Sequence, residues 1–128
     1  MLNEHQKAQF WKDGYLLVEN VVSQESLQAM KETFAAWVEE SRAHAEPYGE
    51  AIDGRARFDV EPGHTAEKPG LRRVNAPIEV SEAYFEAMAD SGMTDVVADL
   101  IGPNVKFHHS KINAKLPGGT TAVNWHQD

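Results

Sequence analysis

Cysteine is absent from this sequence. That excludes disulfides, thiol nucleophiles, iron–sulfur clusters and cysteine-based zinc sites, so any metal has to be held by histidine and carboxylate. Long apolar runs are missing too. Nothing approaches the ~18 consecutive apolar residues of a bilayer span, and the opening stretch MLNEHQKAQFWKDG lacks the apolar core of an export signal. A cytoplasmic protein with no membrane partner is expected. Positive charge is in short supply, with 12 Lys and Arg against 20 Asp and Glu and a net charge of −8. Such a surface repels phosphate backbones and argues against nucleic acid as a partner. No internal repeat or low-complexity tract occurs. What is there, 41% hydrophobic and 25% charged residues in 128 positions, is the composition of one soluble domain.

The apolar spacing divides the chain into segments. Asn3 is an N-cap for a first helix that stops at Gly14, a favourable C-cap residue. YLLVEN (Tyr15 to Asn20) is a short apolar run that reads as a strand. Ser23 opens a longer helix in which Leu27, Met30, Phe34, Trp37 and Val38 recur on one face, the pattern of a core-facing amphipathic helix. Between Glu46 and Gly70 lie three of the six prolines and four of the nine glycines, a long connection with one strand near RARFDV. Two short helices follow LRRVNAP, over Ser81 to Asp90 and Met93 to Ile101, closed by Gly102 and Pro103. From there NVKFHHSKINAKL reads as an extended strand, and Pro117 to Gly119 turn it into a second one, TTAVNWHQD. The expected order is helices first, with sheet only near the end.

Two His-x-acid pairs occur, His44-Ala45-Glu46 and His126-Gln127-Asp128. His44 ends a helical pattern, where residues two apart point in different directions and cannot easily share an ion. His126 and Asp128 fall on a predicted strand, where residues two apart face the same side. One imidazole and one carboxylate so placed form two corners of a 2-His-1-carboxylate site, which suits Fe(II) because it leaves adjacent positions open. The bland reading is a half-buried histidine beside a surface carboxylate, and the motif alone does not separate the two. On the preceding strand Lys111, Asn113 and Lys115 alternate with Ile112, Ala114 and Leu116, with His109 in the same register. A polar row of this kind faces either water or a ligand-filled space. Lysines there could meet a dicarboxylate cosubstrate.

The stretches FWKDGYLLVENVVSQESLQAM, LRRVNAP and, above all, LIGPNVKFHHSKINAKLPGGTTAVNWHQD resemble the phytanoyl-CoA dioxygenase family of Fe(II)/2-oxoglutarate oxygenases. The resemblance covers nearly the whole chain, thinning between about Glu46 and Gly70. It implies an α+β fold in which amino-terminal helices pack on the first strands of a double-stranded β-helix, the jelly-roll or cupin-like barrel. It implies His126 and Asp128 as metal ligands, with Lys111 and Arg73 near the 2-oxoglutarate pocket. Strand direction adds Asn113, and brings Lys115 and Trp125 close enough to line a substrate pocket. The implied cofactors are Fe(II), 2-oxoglutarate and O2. The implied reaction hydroxylates a small organic molecule and releases succinate and CO2. Halogenating relatives have a small residue where this chain has Asp128, so it resembles the hydroxylases.

The resemblance also implies a distal His and a following Arg, and these 128 residues contain neither in the right place. His5, His44 and His64 precede the barrel, and His108 and His109 lie on a neighbouring strand. A jelly roll needs about eight strands, more than the segments above supply. The chain is therefore expected to be the amino-terminal portion of an oxygenase, one domain over 1–128, mainly helical over 1–102, with the barrel beginning at 103–128. The alternatives are a non-catalytic cupin-like binding module or inactive paralogue, and a dimer that completes its site with His109 or His64 in trans.

Overall fold

The computed structural model describes residues 1–127 and has four α-helices and one four-stranded sheet. The helices are α1 (Glu4–Asp13), α2 (Gln24–Ser41), α3 (Glu82–Ala89) and α4 (Gly92–Ile101). Each begins where the sequence offers a side-chain acceptor. Asn3 and Gln6 form a reciprocal capping box on α1, and Ser23, Ser81 and Ser91 accept from Ser26, Tyr84 and Met93 backbone N–H groups. Gly14 closes α1 in the left-handed conformation that a Cβ disfavours. No helix is long and apolar enough to cross a membrane among the described residues.

The sheet runs in the order β1 (Tyr48–Glu50), β2 (Ala56–Val60), β3 (Leu71–Asn75), β4 (Lys111–Asn113), all antiparallel. It starts far earlier than the sequence suggested, inside the Gly- and Pro-rich stretch. RARFDV is a strand as expected. YLLVEN is not: residues 15–20 pair with nothing, Leu17 is exposed, and Asn20 sits at φ +59. Of the long strand expected over residues 104–116 only Lys111–Asn113 pairs, because β3 offers it just Arg73 to Asn75. Beyond the turn at Pro117–Gly118, residues 120–127 form no strand.

Cross-strand partners share a face, so the register fixes both sides of the sheet. Tyr48, Phe58, Val74 and Ile112 stand opposite one another across all four strands. Against this row α2 lays Phe34, Trp37 and Val38, the stripe read from its spacing, and Leu71 and Tyr84 complete the core. On the other face Asp59, Arg73 and Asn113 form the matching row. Between the pairs Asp59–Arg73 and Val60–Leu71 the register slips by one residue. Arg72 is the extra residue of this β-bulge. The bulge returns Leu71 to the core while leaving two successive arginines on the polar side.

Tyr48 packs between His44 and Phe58, with ring centroids 3.6 and 4.8 Å away. Its hydroxyl is buried and has no hydrogen-bond partner among the described residues. Burial first, and Glu40 second, push it up to about 12. Tyr48→Phe deletes this stranded group, so we expect urea denaturation at neutral pH to give an unfolding free energy raised by about 1 kcal/mol. The raised value adds a second signature. The wild type should lose stability relative to the phenylalanine variant as pH rises from 10.0, where the unfolded phenol ionises, towards about 12. A destabilised variant would show that the hydroxyl has a partner.

Candidate active site

The polar face of the sheet is where the chemistry-bearing residues gather. Arg73, central in its row, donates from Nε to Asn113 Oδ1 at 2.9 Å. Lys111 shares the face two residues back on β4, opposite Asn75. Arg72 donates from Nη2 to Asp59 Oδ2 at 2.6 Å, and its buried Nε has no partner among the described residues. Lys115, just past β4, donates from Nζ to the Thr121 carbonyl at 2.5 Å. Arg72, Arg73, Lys111 and Lys115 thus stand with two carboxylates, Asp59 and Glu61, on a chain whose net charge is −8. Cations outnumber carboxylates on this face of an acidic protein, which favours negative charge there. A cleft of about 10 Å³ lies between Glu61, Arg72, Arg73, Asn113, Lys115 and Thr121. Of the expected residues, Arg73 and Asn113 are in direct contact, Lys111 lies on the same face and Lys115 is engaged with Thr121.

Past the Pro117–Gly118 turn the chain carries His126. Its Nδ1 lies 2.7 Å from the Asn124 carbonyl. A carbonyl can only accept, so Nδ1 is the donor of this bond. Asp128, its expected partner, lies outside the described residues. Among the described residues no three histidines or carboxylates converge on one point. Trp125 is fully exposed. His64 is engaged within its own chain. Its Nε2 faces the Ser41 and His44 carbonyls at 3.0 and 2.9 Å, and its Nδ1 accepts from Gly70 N–H at 2.8 Å. His109 lies against its neighbour His108, their Nδ1 atoms 2.6 Å apart.

A family model described as phytanoyl-CoA dioxygenase (PhyH) matches residues 10–128. The chain belongs to the phytanoyl-CoA dioxygenase family. It is also 28% identical over 124 residues to a Stutzerimonas stutzeri protein named "Probable alpha-ketoglutarate-dependent hypophosphite dioxygenase". That alignment takes in 96% of this chain and 40% of the relative, so the chain spans less than half the relative's length. No solved structure matches it. For a member of the phytanoyl-CoA dioxygenase family, the residues the sequence did not single out are Asp59, Glu61, Arg72 and Thr121.

Proposed function

We propose that the whole protein is an Fe(II)/2-oxoglutarate-dependent dioxygenase that hydroxylates a small molecule. The observation that carries this reading is the cationic face of Arg73, Asn113 and Lys111 beside the arm that bears His126. The donor set suits Fe(II): imidazole nitrogen and carboxylate, with no thiolate anywhere in the chain. His126, through Nε2, and Asp128 would hold the metal. Bound Fe(II) supplies the redox chemistry with O2 that couples decarboxylation of 2-oxoglutarate to oxidation of the substrate. One oxygen atom enters succinate, the other enters the product, and CO2 leaves.

The chain's own residues bind and orient. Arg73 meets a carboxylate of 2-oxoglutarate with its guanidinium fork, and Asn113, bonded to Arg73 Nε, fixes the plane of that fork. Lys111 adds a charge on the same face and Lys115 another at its edge. The relative's name gives hypophosphite, a small anion, as what that protein acts on. A face with surplus cations suits such a substrate, which makes hypophosphite the first compound to try.

The test is release of labelled CO2 from [1-14C]2-oxoglutarate by the purified protein with Fe(II) and ascorbate. We expect release that needs Fe(II) and O2 and rises when substrate is supplied. Binding of 2-oxoglutarate without any CO2 release would instead make the protein a non-catalytic cupin-like module.

A further inference from the structure

We propose that Thr121 is the positioning residue of the His126 arm, clamped to the sheet by Glu61, Arg72 and Lys115. Among residues 115–127, Thr121 alone is not exposed. Its hydroxyl donates to Glu61 Oε2 at 2.5 Å and accepts from Arg72 Nη1 at 3.3 Å. Its carbonyl accepts from Lys115 Nζ at 2.5 Å. One hydroxyl therefore sits between an anion and a cation with its proton and lone pair each directed at the matching charge. Arg72 in turn is braced by Asp59. The residue that the β-bulge adds to the polar face is the one that reaches over to the arm.

The turn before Thr121 is built to let this contact form. Gly118 sits at φ +76, and Gly119 N–H donates back to the Leu116 carbonyl at 2.9 Å, closing a tight reversal. A Cβ on Gly119 would lie 3.1 Å from the Leu116 oxygen and 3.5 Å from Glu61 Oε1. A Cβ on Gly70 would lie 3.1 Å from Glu61 Cβ. Glu61 thus enters a slot that glycines on both sides leave open, and its carboxylate emerges under Thr121. The separation of 60 residues between Glu61 and Thr121 makes this a long-range anchor, not a local turn contact.

The inference rests on the proposed role of His126 as a metal ligand. A ligand five residues past an anchor to the sheet depends on that anchor for its placement, and weakly held ligands lose affinity to the entropy of ordering them. Thr121 touches neither metal nor cosubstrate on this reading, so its effect is on the geometry and order of the arm.

The experiment compares wild type, Thr121→Val, Thr121→Ser and His126→Ala. Backbone 15N order parameters of residues 122–127 are measured in the metal-free protein, and Fe(II) affinity is measured anaerobically. The valine variant keeps the shape and loses both hydroxyl contacts. Its order parameters should fall and its Fe(II) affinity drop ~10–100-fold, the range for partners that support a ligand. The serine variant restores the hydroxyl and should recover both. Unchanged order parameters in Thr121→Val overturn the proposal. So does a loosened arm that still binds Fe(II) like the wild type, because the clamp would then be purely structural. Equal Fe(II) affinity in wild type and His126→Ala overturns the functional reading instead, and the order parameters alone then decide whether Thr121 holds the arm.

Discussion

His126→Ala is expected to abolish Fe(II)-dependent turnover of 2-oxoglutarate, with a loss greater than ~100-fold. Removing a group that merely supports a metal ligand costs ~10–100-fold in affinity or activity, and removing the ligand itself has to cost more. The orientation of the ring supports that role. The Asn124 carbonyl engages the ring through Nδ1, and Nε2 is the nitrogen that would meet a metal. The same bond predicts where rescue fails. Asn at 126 keeps a polar side chain but offers an amide, a poor donor to Fe(II), so His126→Asn should be as inactive as the alanine variant. His108→Ala serves as the control, since His108 is exposed and its nearest polar partner is the neighbouring His109. The measurement is succinate formed per minute at saturating Fe(II), with Fe(II) affinity read separately. A His126→Ala protein that turns over at the wild-type rate removes the metal role from this residue.

The helices were legible because their ends carry chemical signals. Asn3 and Ser23 accept from the first-turn N–H groups where the sequence placed helix starts, and Gly14 takes the positive φ expected of it. The strands were hidden for particular reasons. β1 is three residues long and lies among glycines and prolines. In β3 the order Leu71, Arg72, Arg73, Val74 shows no two-residue period, because the bulge spends an extra residue on the polar face. YLLVEN misled in the opposite direction. Its residues have strand propensity, but propensity without a neighbouring strand forms no ladder. The polar row Lys111, Asn113 was visible as alternation, but that Arg73 would stand opposite Asn113 was not, because β3 does not read as a strand. The clamp on Thr121 had no signature, since glutamate, arginine and threonine at distant positions make no pattern until the sheet brings them together.

Arg57 is the residue whose loss should cost the fold most. It is 5% exposed in a domain whose other cations are mostly at the surface. Its Nη1 donates to the Asn75 and Ala76 carbonyls at 2.9 and 2.7 Å, and its Nη2 donates to the Glu50 carbonyl at 3.1 Å and to the Glu79 carboxylate. One guanidinium therefore ties together the end of β1, the end of β3 and the 3-10 turn at Pro77–Glu79. It also secures Ala76, a non-glycine residue at φ +47, a conformation that persists only where the surroundings enforce it. Arg57→Met fills similar volume but leaves three carbonyls without their shared donor. Glu79, exposed and still accepting from the Ile52 N–H, loses its ion pair. Each buried acceptor left unsatisfied costs about 1–3 kcal/mol. Domains of this size have about 5–15 kcal/mol in all, so urea unfolding should shift far to lower denaturant. Lysine should rescue little, because a single ammonium cannot span four acceptors held in a fork. The double variant Arg57→Met/Glu79→Gln should lose less than the sum of its parts, since no uncompensated charge remains. A cost below about 1 kcal/mol would place the pair with exposed salt bridges and refute the assignment. The consequence reaches the proposed site as well. Asn75, whose carbonyl Arg57 holds, stands opposite Lys111, so loosening this end of β3 frees the register that sets Lys111 and Asn113 beside Arg73.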